Sequence, residues 1–299
     1  MTCAIRTENL SKKFKHLAAL DGLNLSIPEG AIYALVGPNG AGKTTTIKIL
    51  MNLVRASSGR AEVLGIESSH LSRREFTNIG YVSENQEMPG WMTVEYLLEY
   101  LKPFYPGWDC ALVKELQRQF DLPPRAKIRQ LSRGMRMKAA LTSSLAYRPK
   151  LIVMDEPFTG LDATVRDQLT EGLLEQAAGT TVLISSHDLM ELESFASHVG
   201  YLAHGKLCFS EEMSSLTERF REVEVICEAQ PVLPSEWPEA WMCPHTSAAV
   251  LRFIESRFDG EKTAAEIRRR FPDARNVSFT PMSLRAIFVA FAKTANEAA

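Results

Sequence analysis

Gly37, Gly42, Lys43 and Thr44, within the stretch GPNGAGKTT (37–45), follow the spacing G-x-x-x-x-G-K-[ST]. Glycines let the backbone curl until several N–H groups point at one anion, and a helix starting near Gly42 adds its positive end. Lys43 then reaches the β- and γ-phosphates of a nucleotide, and the Thr44 hydroxyl can ligate Mg²⁺. Pro38, Asn39, Gly40, Ala41 and Thr45 complete the loop. The plain alternative is a glycine-rich turn that binds nothing. The flanking runs favour the ligand, since AIYALV reads as a buried strand and TTTIKILMNLV as an apolar-faced helix.

A phosphate loop needs a second element to hold the metal and activate water. LIVMDEP (151–157) has the residues for it: four apolar positions form a buried strand whose end carries Asp155 and then Glu156. Asp155 is expected to stabilise Mg²⁺ and Glu156 to polarise the attacking water as general base. In ISSHDLMELE, His187 follows the apolar strand TVLIS, where an imidazole can face a γ-phosphate. A lone histidine in that place is more often structural, and His16, His70, His198, His204 and His245 are read that way. LSRGM (131–135) opens a helical run, with Ser132 placed as its N-cap and Gly134 allowing a ligand near the backbone. By itself that pattern is usually just a capped helix.

The elements that position these residues are legible as alternation. Strands are expected at 4–10, 23–27, 31–36, 61–64, 79–82, 151–154, 181–185 and 199–203, with helix-like segments between them, giving an α/β layered domain. Turn signals among the first strands point to a small antiparallel part beside a parallel core. Residues 94–147 are mostly helical, broken by Pro103, Pro106, Pro123 and Pro124, and form a candidate helical subdomain. After about Phe220 the pattern changes to the alternating strand EVEVICE and a proline-rich connector with Pro231, Pro234, Pro238 and Pro244. Strand AVLRFI, helix TAAEIRRRF, strand NVSFT and closing helix SLRAIFVAFAKTA then read as a small α/β appendage. The expected division is 1–219 and 220–299.

Composition narrows the partners. The 299 residues hold 34 Lys plus Arg against 36 Asp plus Glu, a net charge of -2, so nothing pulls the whole chain towards nucleic acid or an anionic membrane. Nucleic acid is not expected as a partner, and the basic IRRRF is read as a solvated helix face. The five scattered cysteines form no C-x-x-C pair and suit a reducing cytoplasm. Every apolar run is interrupted well before the ~20 residues a membrane span needs.

The phosphate loop, LSRGM, LIVMDEP, GLD and SSHD occur in the order and rough spacing of an ABC transporter ATPase subunit, which this chain resembles over about residues 2–218. The resemblance implies a P-loop ATPase fold with mixed sheet core, antiparallel β-subdomain and helical subdomain, binding ATP with Mg²⁺. It places Phe14 where an aromatic stacks on adenine, the plain alternative being a core phenylalanine. Ser132, Arg133, Gly134 and Met135 fall on the signature that closes on ATP held by the opposite subunit. Leu161 and Asp162 match a subunit-contact loop, and His187 the histidine that senses γ-phosphate.

Two departures stand out. Glu84 occupies the position of a usual glutamine, with Gln86 a weaker candidate for it. A carboxylate there can reach Mg²⁺ through water, yet adds negative charge beside triphosphate. In the signature, Arg133 and Met135 replace a usual glycine and glutamine, and the guanidinium is free to contact phosphate, the facing subunit or solvent. The expected function is ATP hydrolysis by a homodimer, or a heterodimer with another ATPase subunit, that drives a separate transmembrane permease, export being favoured. The subunit would be cytoplasmic, peripheral on the inner face of the membrane, and would contact the permease through the helical region and the Glu84 loop. Two other readings are a non-transport ABC ATPase working on a soluble partner complex and a regulatory nucleotide binder. Relatives of the former usually carry two cassettes or a long coiled-coil insertion, neither visible here, while Glu156 and His187 argue against the latter.

Overall fold

A computed structural model of the chain describes residues 2–176, 179–234 and 236–297, apart from the side chains of 292–297. It divides into two compact units, one running to Ser210 and the other starting at Glu211. In the first unit, β1 (Cys3–Phe14) and β2 (Leu17–Pro28) form a hairpin, and β3 (Ile32–Val36) leads through the phosphate loop into α1 (Lys43–Leu50). β4 (Ser58–Val63), β5 (Ile66–Glu67), α2 (Arg73–Phe76) and β6 (Ile79–Ser83) follow. Helices α3 (Val94–Leu101), α4 (Cys110–Gln119) and α5 (Arg133–Leu145) precede β7 (Leu151–Asp155), α6 (Ala163–Gln176), β8 (Thr181–Ser186), β9 (His198–Ala203) and β10 (Lys206–Glu212).

Two sheets result. The antiparallel one has the order β2-β1-β4-β5, and the central one the order β10-β9-β3-β8-β7-β6. From β9 through β6 the central strands run parallel, so they are covered on both faces and read as apolar runs. β7 is buried at all five positions and β8 at all six. A fully buried Leu, Ile or Val side chain contributes about 1.5–3 kcal/mol, so these short segments are held firmly. The helices start where short polar side chains satisfy their free N–H groups. Thr93 accepts from Tyr96 N, Asp109 from Ala111 N and Leu112 N, and Ser132 from Met135 N.

The second unit contains α7 (Met213–Arg219), β11 (Arg221–Cys227), β12 (Trp241–Ser247), β13 (Val250–Glu255), α8 (Gly260–Arg270), β14 (Ala274–Pro281) and α9 (Leu284–Glu297). Its antiparallel sheet has the order β12-β13-β11-β14, with Val223, Val225, Trp241, Leu251, Phe253 and Ile267 in its core. Pro244, read from sequence as part of a connector, instead lies inside β12. The edge position and a register shift between Met242 and His245, with Cys243 at φ 51°, accommodate a residue that cannot donate to a ladder. β10 was also not expected, because its alternation of exposed and half-exposed residues lacks an apolar face.

Gly200 in β9 shows how tightly β3, the strand feeding the phosphate loop, is fixed. The fully buried Tyr33 of β3 lies over it and hydrogen-bonds Ser210 Oγ at 2.7 Å. A Cβ at Gly200 would come within 2.1 Å of the Tyr33 hydroxyl. Gly200→Ala is expected to cost about 1–3 kcal/mol by overpacking, read as a lowered thermal midpoint. An unchanged midpoint would contradict this packing.

Candidate functional site

The carboxyl ends of β3, β8, β7 and β6 lie along one edge of the central sheet, because these four strands are parallel neighbours. That edge is where open α/β sheets hold ligands. Each strand delivers one piece: β3 the loop from Gly37, β8 His187, β7 Asp155 and Glu156, and β6 Glu84.

The loop is confined by its neighbours. A Cβ at Gly37 would lie 2.0 Å from the Leu202 carbonyl oxygen, and one at Gly42, whose φ is 110°, 2.6 Å from that of Ala19. Glycine alone fits both places. Gly42 is the N-cap of α1, whose first turn holds no acidic residue, so the positive end of the helix faces the loop uncancelled by its own side chains.

Lys43 is 5 % exposed. Its Nζ donates to the carbonyls of Gly37 at 2.7 Å and Pro38 at 3.2 Å, and pairs with Glu156 Oε1 at 3.1 Å. Glu156 Oε2 accepts from Thr159 Oγ1 at 3.1 Å and lies 2.8 Å from His187 Nδ1. Burial pushes the Glu156 carboxyl up, but His187, Lys43 and Thr159 together outweigh it and hold the group below the usual glutamate range. Glu156 has a left-handed backbone, φ 51°, and its N–H is caught by Ser185 Oγ at 3.0 Å. The strained turn swings its carboxylate over the loop.

Asp155 is turned to Thr44. Its Oδ1 accepts from Thr44 Oγ1 at 3.0 Å and Ser185 Oγ at 2.7 Å, while burial raises its carboxyl above the usual range against the pull of these two hydroxyls. Among the described residues no cluster of three or more His, Cys, Asp or Glu is arranged to hold a metal. Thr44 and Asp155 are instead two oxygen donors beside a phosphate loop, which fits Mg²⁺ taken with substrate phosphates and water.

A cavity of about 570 Å³ is bordered by Phe14, Asn39, Lys43, Thr44, Glu156 and His187, and Asp155 is joined to it through its bond with Thr44. Gly40, Ala41, Gly42, Thr45 and Glu84 also border it. The size is that of a small-molecule site. Phe14 is 44 % exposed and therefore no core residue. One ring face meets Lys12 Nζ at 4.8 Å from the centroid.

The signature residues are placed apart. Ser132, Gly134, Met135 and Asp162 do not line this cavity. Ser132 caps α5, and the bare backbone of Gly134 is covered by Val165, whose Cγ1 would be 2.8 Å from an added Cβ. Asp162 accepts from Val165 N at 2.9 Å at the start of α6. Arg133 donates to Glu84, a charge-assisted bond not among the contacts expected from sequence. Sequence reading also missed Ser185, which binds both Asp155 and the Glu156 backbone, and Thr159. A serine in the otherwise apolar run TVLIS was the signal available for the former.

Residues 20–159 match the family described as ABC transporter. The daunorubicin/doxorubicin resistance ATP-binding protein DrrA of Streptomyces peucetius is 30% identical, covering 97% of this chain and 92% of its own. The ABC transporter ATP-binding protein YtrB of Bacillus subtilis (strain 168) is also 30% identical, over 74% of this chain and 76% of its own. Among solved structures, the dimeric post-hydrolysis state of the ATP-binding cassette MJ0796 bound to ADP and Pi superposes with a TM-score of 0.62 at 25% identity, covering 70% of this chain and 98% of that one. With the phosphate loop, its paired acids and His187 gathered on one sheet edge, this chain belongs to the ABC transporter family, as an ATP-binding subunit.

Proposed function

We propose that the chain hydrolyses ATP with Mg²⁺ as one half of an ATPase pair and drives export through a separate membrane permease. The observation that carries this reading is the convergence of Lys43, Thr44, Glu156 and His187 on one cavity, with Asp155 bonded to Thr44. Loop N–H groups and the start of α1 hold the β- and γ-phosphates, and Phe14 offers an exposed ring to the base. Thr44 and Asp155 would hold Mg²⁺, which when bound would neutralise charge on the phosphate oxygens. The buried Lys43 shifts from Glu156 towards the phosphates. Glu156, kept ionised, then accepts a proton from water as the water oxygen bonds to the γ-phosphorus and the bond to the β-phosphate bridging oxygen breaks. ADP and phosphate leave. His187 orients Glu156 and reaches the γ-phosphate.

Because Ser132, Gly134, Met135 and Asp162 stand outside the cavity, a second ATPase subunit is the natural source of these groups for the exposed side of the nucleotide. A relative named for drug resistance supports export, and a dimeric cassette among the similar structures supports pairing. Among the described residues no helix is long and apolar enough to cross a membrane; in this reading the permease is a separate chain and the subunit works on its cytoplasmic side.

Glu156→Gln is expected to bind ATP, to lose at least about 100-fold in phosphate release, and to shift to the dimer mass in Mg·ATP. Chelating Mg²⁺ should likewise stop turnover of the unaltered protein. A Glu156→Gln variant with full turnover would contradict the assigned base. Purification from native membranes is expected to retain a multi-span membrane protein; recovery only in a soluble complex would favour a non-transport ATPase.

A further inference from the structure

Glu84 and Arg133 depart from the family pattern separately in sequence but meet in space. Glu84 is the first residue beyond β6. Its N–H donates to the Asp155 carbonyl at 3.0 Å, which fixes its backbone beside β7, and the residue borders the cavity that holds Lys43 and Thr44. Arg133 is the first residue of α5, and its Nη2 donates to Glu84 Oε1. The same guanidinium lies against Gly160, where an added Cβ would be 2.9 Å from Nη1 and 3.3 Å from Cζ. One planar cation therefore touches the loop after β6 and the turn after Glu156 while anchored at the start of α5.

A carboxylate on the wall of a triphosphate site repels its ligand, and the penalty grows as water is excluded. A guanidinium bonded to that carboxylate cancels most of its field and fixes where it points. We propose that Arg133 is a positioning residue for Glu84: it offsets the carboxylate's charge and draws it towards α5, so that the cavity admits a nucleoside triphosphate despite an acidic wall. This deepens the nucleotide reading of the cavity and rests on it.

The two ideas are separated by a double-mutant cycle on ATP affinity, measured calorimetrically without Mg²⁺ on dilute monomer for the unaltered protein, Arg133→Gln, Glu84→Gln and the double variant. The Arg133 side chain is 41 % exposed, so its loss spares the core, which the thermal transition checks. Arg133→Gln is expected to weaken ATP binding by about two- to fivefold in the unaltered background, as for a partly exposed ion pair. On the Glu84→Gln background the same change should have almost no effect. Arg133→Lys, which retains the charge, should stay near the unaltered affinity, and the effect should shrink as salt rises. Equal weakening in both backgrounds, or none in either, would overturn the proposal while leaving the nucleotide site standing. An unaltered protein that binds no ATP would overturn both.

Discussion

The buried charge of Lys43 is the constraint on which the site depends. Moving an ammonium group out of water costs several kcal/mol unless partners replace the lost solvation, and the chain supplies two loop carbonyls and Glu156. Those partners fix the loop's curvature, which in turn demands glycine at 37 and 42 where neighbouring carbonyls crowd the backbone. They also fix Glu156, whose left-handed turn is secured by Ser185 and Thr159. In the proposed mechanism Glu156, as base, stays engaged by Lys43 until phosphate competes for that lysine. That mechanism couples binding to activation of the base through one cation.

The central sheet makes this possible by parallel alignment. Four strands end at one edge; Glu84, Asp155, Glu156 and His187 lie within a residue or two of those ends, while Lys43 and Thr44 open α1 beyond the loop after β3. Short, fully buried strands set the spacing, so small errors in loop length would misplace Asp155 or His187 relative to Lys43. The groups at the start of α5 and α6 serve packing within this subunit, through the Ser132 and Asp162 caps and the Gly134–Val165 contact. A residue that caps a helix in its own chain still leaves that helix end available to a facing one.

Much of this was legible because phosphate chemistry is local in sequence. Gly37 to Thr45 run without interruption from the end of β3 into α1, and Asp155 and Glu156 end one apolar run, so their spacing marks them out in sequence. The central strands were equally plain, since burial on both faces leaves unbroken apolar segments. What could not be read were contacts across distant segments: the Arg133–Glu84 bond spans 49 residues, and Ser185 reaches Asp155 across 30. No periodicity encodes such pairs. β12 was hidden by Pro244, whose usual meaning in a connector was overridden by an edge position and a bulge. Phe14 was singled out only by the family resemblance, with a core phenylalanine as the alternative, and its exposure could not be read from the sequence.

The most direct test of a lysine shared between base and phosphate is a structure of the chain with a non-hydrolysable ATP analogue. The account predicts Lys43 Nζ within hydrogen-bond reach of the β- and γ-phosphate oxygens and withdrawn from Glu156, with the carboxylate turned to a water beside the γ-phosphorus. An unbroken Lys43–Glu156 pair in the occupied site, with the phosphates held elsewhere, would contradict it.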